Sequence, residues 1–96
     1  MSRESMIVLD AFDGKKIYSV WNKAGDVLSD KVVILAHGLT GHANEYLHQM
    51  ARIYFNERGY DVVRINFYNW CEGARNLIDT TLEIHGRDLN TLTEYL

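Results

Sequence analysis

The distribution of apolar and polar residues divides the start of the chain into three extended segments. "MIVLDAF" (6–12) and "KKIYSVWN" (15–22) are rich in β-branched and aromatic residues, and Asp13-Gly14 between them tolerates the positive φ angles of a tight turn. "KVVILA" (31–36) is apolar without interruption after its lysine, which is typical of a strand covered on both faces. The pattern therefore predicts an opening β-hairpin followed by a buried strand of the parallel type.

The periodicity changes between Asn44 and Arg58, where apolar residues recur at spacings of three and four. These residues are Leu47, Met50, Ala51 and Tyr54. Gly59 follows as a natural C-terminal stop. The segment predicts an amphipathic helix packed on the sheet.

A second strand and a second helix are predicted in the remainder of the chain. "YDVVRINFY" (60–68) completes a strand–helix–strand unit, and such units are right-handed crossovers between parallel strands. After the loop 69–79, "TTLE" at Thr80 to Glu83 fits a capping box. One face of the following helix then carries His85, Leu89, Leu92 and Leu96. We expect this helix to run into the C-terminus.

The order hairpin, then β-α-β-α, belongs to the α/β class, with helices packed on a largely parallel sheet. The chain has 96 residues, which allows one domain at most. In this class a covering helix normally returns the chain to another strand. We therefore expect the complete sheet to contain a strand beyond this sequence.

Composition and charge narrow the class of protein. Hydrophobic residues make up 47% and charged residues 24%, as in folded globular proteins. The formal charge of −3, without a lysine or arginine cluster, argues against nucleic acid as a partner. The apolar run before Asp10 is too short for a signal peptide or a membrane span, so no membrane partner is expected. Cys71 has no cysteine to pair with, which favours the reducing cytoplasm.

The segment "HGLTG" directly follows the strand 31–36 and is the main candidate for chemistry. Open α/β sheets bind ligands beyond the carboxyl ends of their strands, which is where this segment lies. Gly38 allows a tight turn and close approach to a ligand, and the segment leads into a helix N-terminus that favours negative charge. Such a loop can hold an anion, including the oxyanion that develops during acyl transfer.

The chain resembles the α/β-hydrolases, specifically the serine esterases and lipases with an "HGxTG" loop. The resemblance runs through "VVILAHGLTG", "ERGYDVVRINF" and "DTTLEIHGRDLNTLTEYL", and the last of these is similar to the helix before the nucleophile elbow. The three pieces occur in the family's order and cover roughly residues 6–96. The resemblance implies that residues 1–96 are a single, partial α/β-hydrolase domain.

The resemblance also implies a site and a reaction. The backbone N–H of Leu39 would be one of two oxyanion donors, with His37 and Gly38 shaping the loop. The intact enzyme would hydrolyse a small-molecule carboxylic ester or related acyl bond with a serine nucleophile and no cofactor. Tyr68 and Trp70 are candidates for lining the acyl pocket. The loop "NFYNWCEGARN" departs from the more basic, glycine-rich turn of many family members, so no further role is carried over to it.

The nucleophile and its partners are not expected in this segment. None of the serines lies in a G-x-S-x-G elbow; they are Ser2, Ser5, Ser19 and Ser29. The family's acid and histidine follow the serine, so all four histidines lie too early to match the base. We expect the segment alone to be inactive.

Other interpretations of these residues remain open. His37 could be a buried histidine that only bonds to neighbouring backbone. A metal site is disfavoured because His42 and His48 are six residues apart and no cysteine accompanies them. The glycines at 38 and 41 fit neither nucleotide-binding pattern, and no histidine is placed by the sequence to activate Cys71.

A non-catalytic role is the second hypothesis. In the strand order that the resemblance implies, strand 31–36 pairs on one side with strand 60–68 and leaves its other side open. Open apolar edges recruit partners. The chain could therefore be a hydrolase-like module that forms a homodimer through this edge.

Overall fold

The computed structural model describes residues 4–27, 29–37, 43, 45–68 and 71–96, with the side chain of Asp79 excepted. Its elements are β1 (Glu4–Asp10), β2 (Lys16–Asn22), β3 (Val32–Ala36), α1 (Tyr46–Asn56), β4 (Asp61–Asn66), a short 3-10 helix (Leu77–Asp79) and α2 (Leu82–Tyr95). The predicted order of hairpin and β-α-β-α is confirmed.

The four strands form one sheet in the order β1-β2-β4-β3. The pairs β1/β2 and β2/β4 are antiparallel, and only β3/β4 is parallel. The sheet is thus mixed rather than largely parallel, because the opening hairpin adds two antiparallel pairs to the parallel pair. Within the described sheet, β4 is central and β3 lies at an edge.

The hydrophobic core lies between the sheet and α2. Alternate residues of β4 point to this side, and Val63 and Ile65 are fully buried there with Leu92 of α2. Ile7, Ala11, Ile17 and Phe67 complete the buried cluster. Leu92 and the partly buried Leu89 confirm the predicted inner face of the second helix, but Leu96 is 42% exposed. Leu96 follows the last helical residue, Tyr95.

The hairpin turn is wider than a two-residue turn on Asp13-Gly14. β1 ends at Asp10 and β2 begins at Lys16. The connection is closed by a hydrogen bond from the Ala11 N–H to the Lys15 carbonyl (2.8 Å). Gly14 takes a φ of 83°, so the predicted positive φ falls on this residue.

Helix α1 turns its apolar stripe away from the sheet. Leu47 is 75%, Met50 48% and Tyr54 51% exposed, and no residue of the helix is fully buried. The amphipathic pattern is present, but the packing face predicted from it is wrong. The reason lies on the sheet, where the buried side chains beneath α1 include Asn22 and Arg64. A polar helix face suits this surface.

The N-terminus of α2 is capped one residue later than predicted. Thr81, not Thr80, accepts a hydrogen bond on its hydroxyl from the Ile84 N–H (3.2 Å). The Thr80 hydroxyl instead donates to the Leu77 carbonyl (2.8 Å) and closes the 3-10 turn. Strand β4 is also shorter than predicted, since the chain bends at Phe67 and Tyr68.

Candidate active site

The carboxyl ends of β3 and β4 lie side by side because the two strands are parallel. Ala36 of β3 pairs with Ile65 of β4, so His37 and Phe67 leave the sheet at the same edge. In open α/β sheets this edge is where ligands bind. His37, the first residue of the predicted site, therefore lies at this edge.

His37 joins the two strand ends. It is only 6% exposed, and its Nε2 accepts a hydrogen bond from the Phe67 N–H at 3.0 Å. A ring nitrogen that accepts must carry a lone pair, so in the neutral ring the proton is on Nδ1. His37 is thus a buried histidine that bonds to neighbouring backbone, as in the alternative interpretation of the sequence. This hydrogen bond also holds the residue that precedes Gly38 against β4.

Aromatic contacts extend the site from His37 to α2. The His37 ring meets Phe67 and Tyr68 edge-on, with centroid distances of 5.0 and 5.2 Å. His85 of α2 stacks on Phe67 at 4.3 Å with an interplanar angle of 12°. We call His37, Phe67, Tyr68 and His85 the ring cluster. It attaches the second helix to the strand ends.

His85 is the titratable group of the ring cluster whose environment disfavours charge. Burial lowers its pKa from the ordinary 6.5, and the neighbouring His37 lowers it further. Asp88 raises the pKa to a smaller extent, and Arg75 has the smallest effect and lowers it. Its Nε2 is buried and has no hydrogen-bond partner among the described residues. The folded protein therefore favours the neutral imidazole.

We expect His85 to make the protein less stable in weak acid. Because its folded-state pKa lies below 6.5, its contribution is fully present above pH 6.5 and is lost as the pH falls through the lower folded value. Urea unfolding between pH 7.5 and 5 should show this decline, and the His85→Phe variant should show less of it. A decline of equal size in His85→Phe and in wild type would contradict the assignment, with His48→Gln as the control.

Three residues predicted at the site lie outside the described residues: Gly38, Leu39 and Trp70. Their assignments as oxyanion-loop and pocket residues stay predictions. Tyr68 is described, is partly buried and belongs to the ring cluster. Its predicted contact with an acyl group also stays a prediction.

Two polar side chains near the site were missed from sequence. Arg64 is 1% exposed, and its Nη1 donates to the Ala43 carbonyl at 2.8 Å. Asn66 accepts on its side-chain oxygen from the Ala43 N–H at 2.9 Å. An arginine inside the apolar strand "DVVRINF" was the available signal, because a buried charge requires partners.

A buried ion pair fixes the chain after β4 to α2. Arg75 and Asp88 are 2% and 1% exposed and form two parallel hydrogen bonds, each of 2.9 Å. Arg75 also binds Asp13 of the hairpin turn. These hydrogen bonds raise the pKa of Arg75 and lower that of Asp13. The Arg75 guanidinium thereby connects the chain after β4 to both the hairpin turn and α2.

The described part of the chain contains no group of three or more histidine, cysteine, aspartate or glutamate side chains placed to hold a metal ion. Neither of its α-helices is long and apolar enough to cross a bilayer.

Comparison with protein-family models gives no match, and comparison with curated proteins gives none. Solved structures do match. Est1E from Butyrivibrio proteoclasticus with ferulic acid bound superposes with a TM-score of 0.83 at 22% identity, over 93% of this chain and 36% of that chain. The Pyrococcus furiosus esterase Pf2001 superposes with a TM-score of 0.80 at 21% identity, over 97% of this chain and 34% of that chain. XC6422 from Xanthomonas campestris, an α/β serine hydrolase without a lid, superposes with a TM-score of 0.75 at 21% identity, over 99% of this chain and 44% of that chain.

The matched proteins are esterases and serine hydrolases that are much longer than this chain. Among the most similar structures, the chain spans 31 to 45% of the partner's length. The chain has the fold of the N-terminal portion of α/β serine hydrolases.

Proposed function

We propose that this chain is the N-terminal half of an α/β-hydrolase that, when intact, cleaves carboxylic ester or related acyl bonds with a serine nucleophile. The segment would supply the oxyanion-hole loop. The observation that carries this proposal is the attachment of His37 to the Phe67 N–H (3.0 Å) at the carboxyl edge of the parallel pair β3/β4. A loop that follows His37 would begin beside the crevice where this class of sheet binds ligands.

The chemistry assigned to this segment is charge stabilisation. When a serine oxygen attacks the acyl carbon, negative charge moves to the carbonyl oxygen, and the Leu39 N–H would donate to that oxygen. One such donor contributes about 3 kcal/mol to transition-state stabilisation. The second donor, the nucleophile, the acid and the base would come from outside these residues.

Tyr68 and one matched enzyme support an acyl pocket with aromatic lining. Est1E holds ferulic acid, an aromatic carboxylic acid, in its solved structure. In this chain Tyr68 and Trp70 would line the acyl pocket, because Tyr68 follows β4 at the same edge as His37.

The predicted cytoplasmic location remains a proposal that depends on the single Cys71, which is exposed.

An assay of the 96-residue chain on a short-chain aryl ester tests whether the nucleophile lies outside these residues. Because no attacking Ser–His pair is present, we expect hydrolysis at the background rate. Turnover above background that a serine-directed inhibitor abolishes would refute the proposal. A Leu39→Pro variant, which lacks the N–H, and the matched Leu39→Ala variant, which keeps it, would then show whether residue 39 is involved.

A second candidate function is a non-catalytic module that self-associates. It is favoured by β3, which pairs only with β4 in the described sheet, and by the exposed apolar stripe of α1. Size-exclusion chromatography with light scattering separates the two candidates. A uniform dimer that Val32→Lys, a charge on the edge strand, converts to monomer supports the module. A monomer, or heterogeneous material, supports the hydrolase segment.

A further inference from the structure

Both flanks of residues 38–42 are held by one strand. On the N-terminal flank, His37 accepts from the backbone of Phe67 at the end of β4. On the C-terminal flank, Ala43 is fully buried, and both of its backbone polar groups bind side chains of β4. Its N–H donates to Asn66 (2.9 Å) and its carbonyl accepts from Arg64 (2.8 Å).

The Arg64 side chain is itself held by two other strands. Its Nε donates to the side-chain oxygen of Asn22 on β2 (2.9 Å), and its Nη2 donates to the Glu4 carboxylate on β1 (2.9 Å). Burial lowers the pKa of Arg64 from its usual range, and Glu4 offsets part of this effect. A guanidinium bound on three sides cannot change rotamer without breaking charge-assisted hydrogen bonds, so the Ala43 carbonyl has a rigid donor.

We infer that Asn66 is a positioning residue for the candidate oxyanion segment. Its side-chain oxygen, acting with Arg64, fixes both backbone polar groups of Ala43, the residue that follows the candidate segment in the sequence. The role assigned to that segment rests on the proposed function, whereas the anchoring of Ala43 does not. Positioning of this kind matters because an error of about 1 Å in a catalytic group can reduce a rate on the order of 100-fold.

The test compares two substitutions of Asn66 that differ in one property. Asn66→Leu keeps the branching of the side chain but offers no acceptor to the Ala43 N–H, whereas Asn66→Asp keeps an oxygen in the same place. Amide hydrogen exchange in the full chain, followed by NMR, measures the effect at residues 38–43. The amides of Val63 and Ile65 in β4 serve as internal reference positions.

In Asn66→Leu we expect exchange at residues 38–43 to accelerate by about fivefold or more, with little change at Val63 and Ile65. Asn66→Asp should restore the wild-type rates. A general loss of stability would instead accelerate exchange at the reference positions as well. Such uniform acceleration, unchanged exchange at Ala43, or failure of Asn66→Asp to restore the rates would overturn the inference.

A second readout separates this inference from the proposed function. Acetate provides a carboxylate oxygen as a probe, and its titration is followed at the Leu39 amide resonance of wild type and Asn66→Leu. We expect a saturable shift in wild type that becomes weaker in Asn66→Leu. Absence of any shift in wild type would count against the oxyanion role of Leu39, while the exchange rates would still decide the role of Asn66.

Discussion

Arg75→Met is expected to lower the free energy of unfolding by about 3 to 5 kcal/mol. Asp88 is 1% exposed and would keep a buried carboxylate without its bidentate partner. Small domains have a total stability of roughly 5 to 15 kcal/mol, so this single change would remove much of it. Urea unfolding at pH 7 followed by circular dichroism measures the loss.

Arg87→Met is the matched control for this prediction. Arg87 is an exposed arginine whose guanidinium carbon lies 3.7 Å from the centroid of the Phe12 ring, the ring that Arg75 also approaches (5.4 Å). Its replacement should cost about 0.5 to 1 kcal/mol. The double variant Arg75→Met, Asp88→Leu should recover stability, because no buried charge remains unpaired. Equal losses for Arg75→Met and Arg87→Met would show that the buried pair contributes little.

The contact between Arg75 and Asp13 loses its stabilising effect in acid. The hydrogen bond from Arg75 lowers the pKa of Asp13 below 3.8, so its contribution is present above pH 3.8 and is lost as the pH falls through the lower folded-state value. Asp13 was expected from sequence only to form the hairpin turn. It does contribute to the turn, since its other side-chain oxygen accepts from the Lys15 N–H at 3.2 Å.

The features that the sequence predicted correctly depend on neighbours along the chain. Strands, the glycine stop at Gly59 and the emergence of His37 at a strand end are local patterns, and a window of a few residues contains their causes. The Gly59 φ of 86° is an example, because only the last turn of the helix and the following strand determine it.

The features that were missed depend on residues far apart in sequence. Arg64 finds its carboxylate at Glu4, and Asn66 and Arg64 find Ala43 only through the fold. These contacts add buried polar side chains to a face of the sheet that also carries Val20 and Val62, and the apolar stripe of α1 faces outward, contrary to the usual rule. Periodicity located the stripe at Leu47 and Met50, but it contained no information about what would lie underneath.

Two of these distant contacts lie in the second half of β4. Asn66 is the last residue of β4, at the edge where His37 emerges, and Arg64 lies two residues before it. The opposite end of β3 is secured separately, through the first residue of β4. The placement of the candidate loop therefore depends on both ends of β3 being held in register with β4.

Asp61→Ala is expected to destabilise this second attachment by about 3 kcal/mol or more. Asp61 is fully buried, and its carboxylate accepts from the Trp21 indole N–H (3.1 Å) and from the backbone N–H groups of Ala24 (2.9 Å) and Ser29 (3.2 Å). Removal of the carboxylate would leave three donors without their acceptor, and each buried donor left unsatisfied costs about 1 to 3 kcal/mol. Thermal unfolding measures the total, with the exposed Asp30→Ala as control.

The consequence for the candidate site can be measured separately from the total. Asp61 also pairs with Val32, and its N–H donates to the Lys31 carbonyl at 3.0 Å, so loss of its carboxylate should loosen the start of β3 first. Amide exchange in Asp61→Ala should therefore accelerate more in β3 than in β1. If β1 and β3 accelerate alike, Asp61 stabilises the whole domain without selectively holding β3, the strand that carries His37 to the crevice. If Asp61→Ala behaves like Asp30→Ala in both measurements, the three hydrogen bonds do not determine the register of β3.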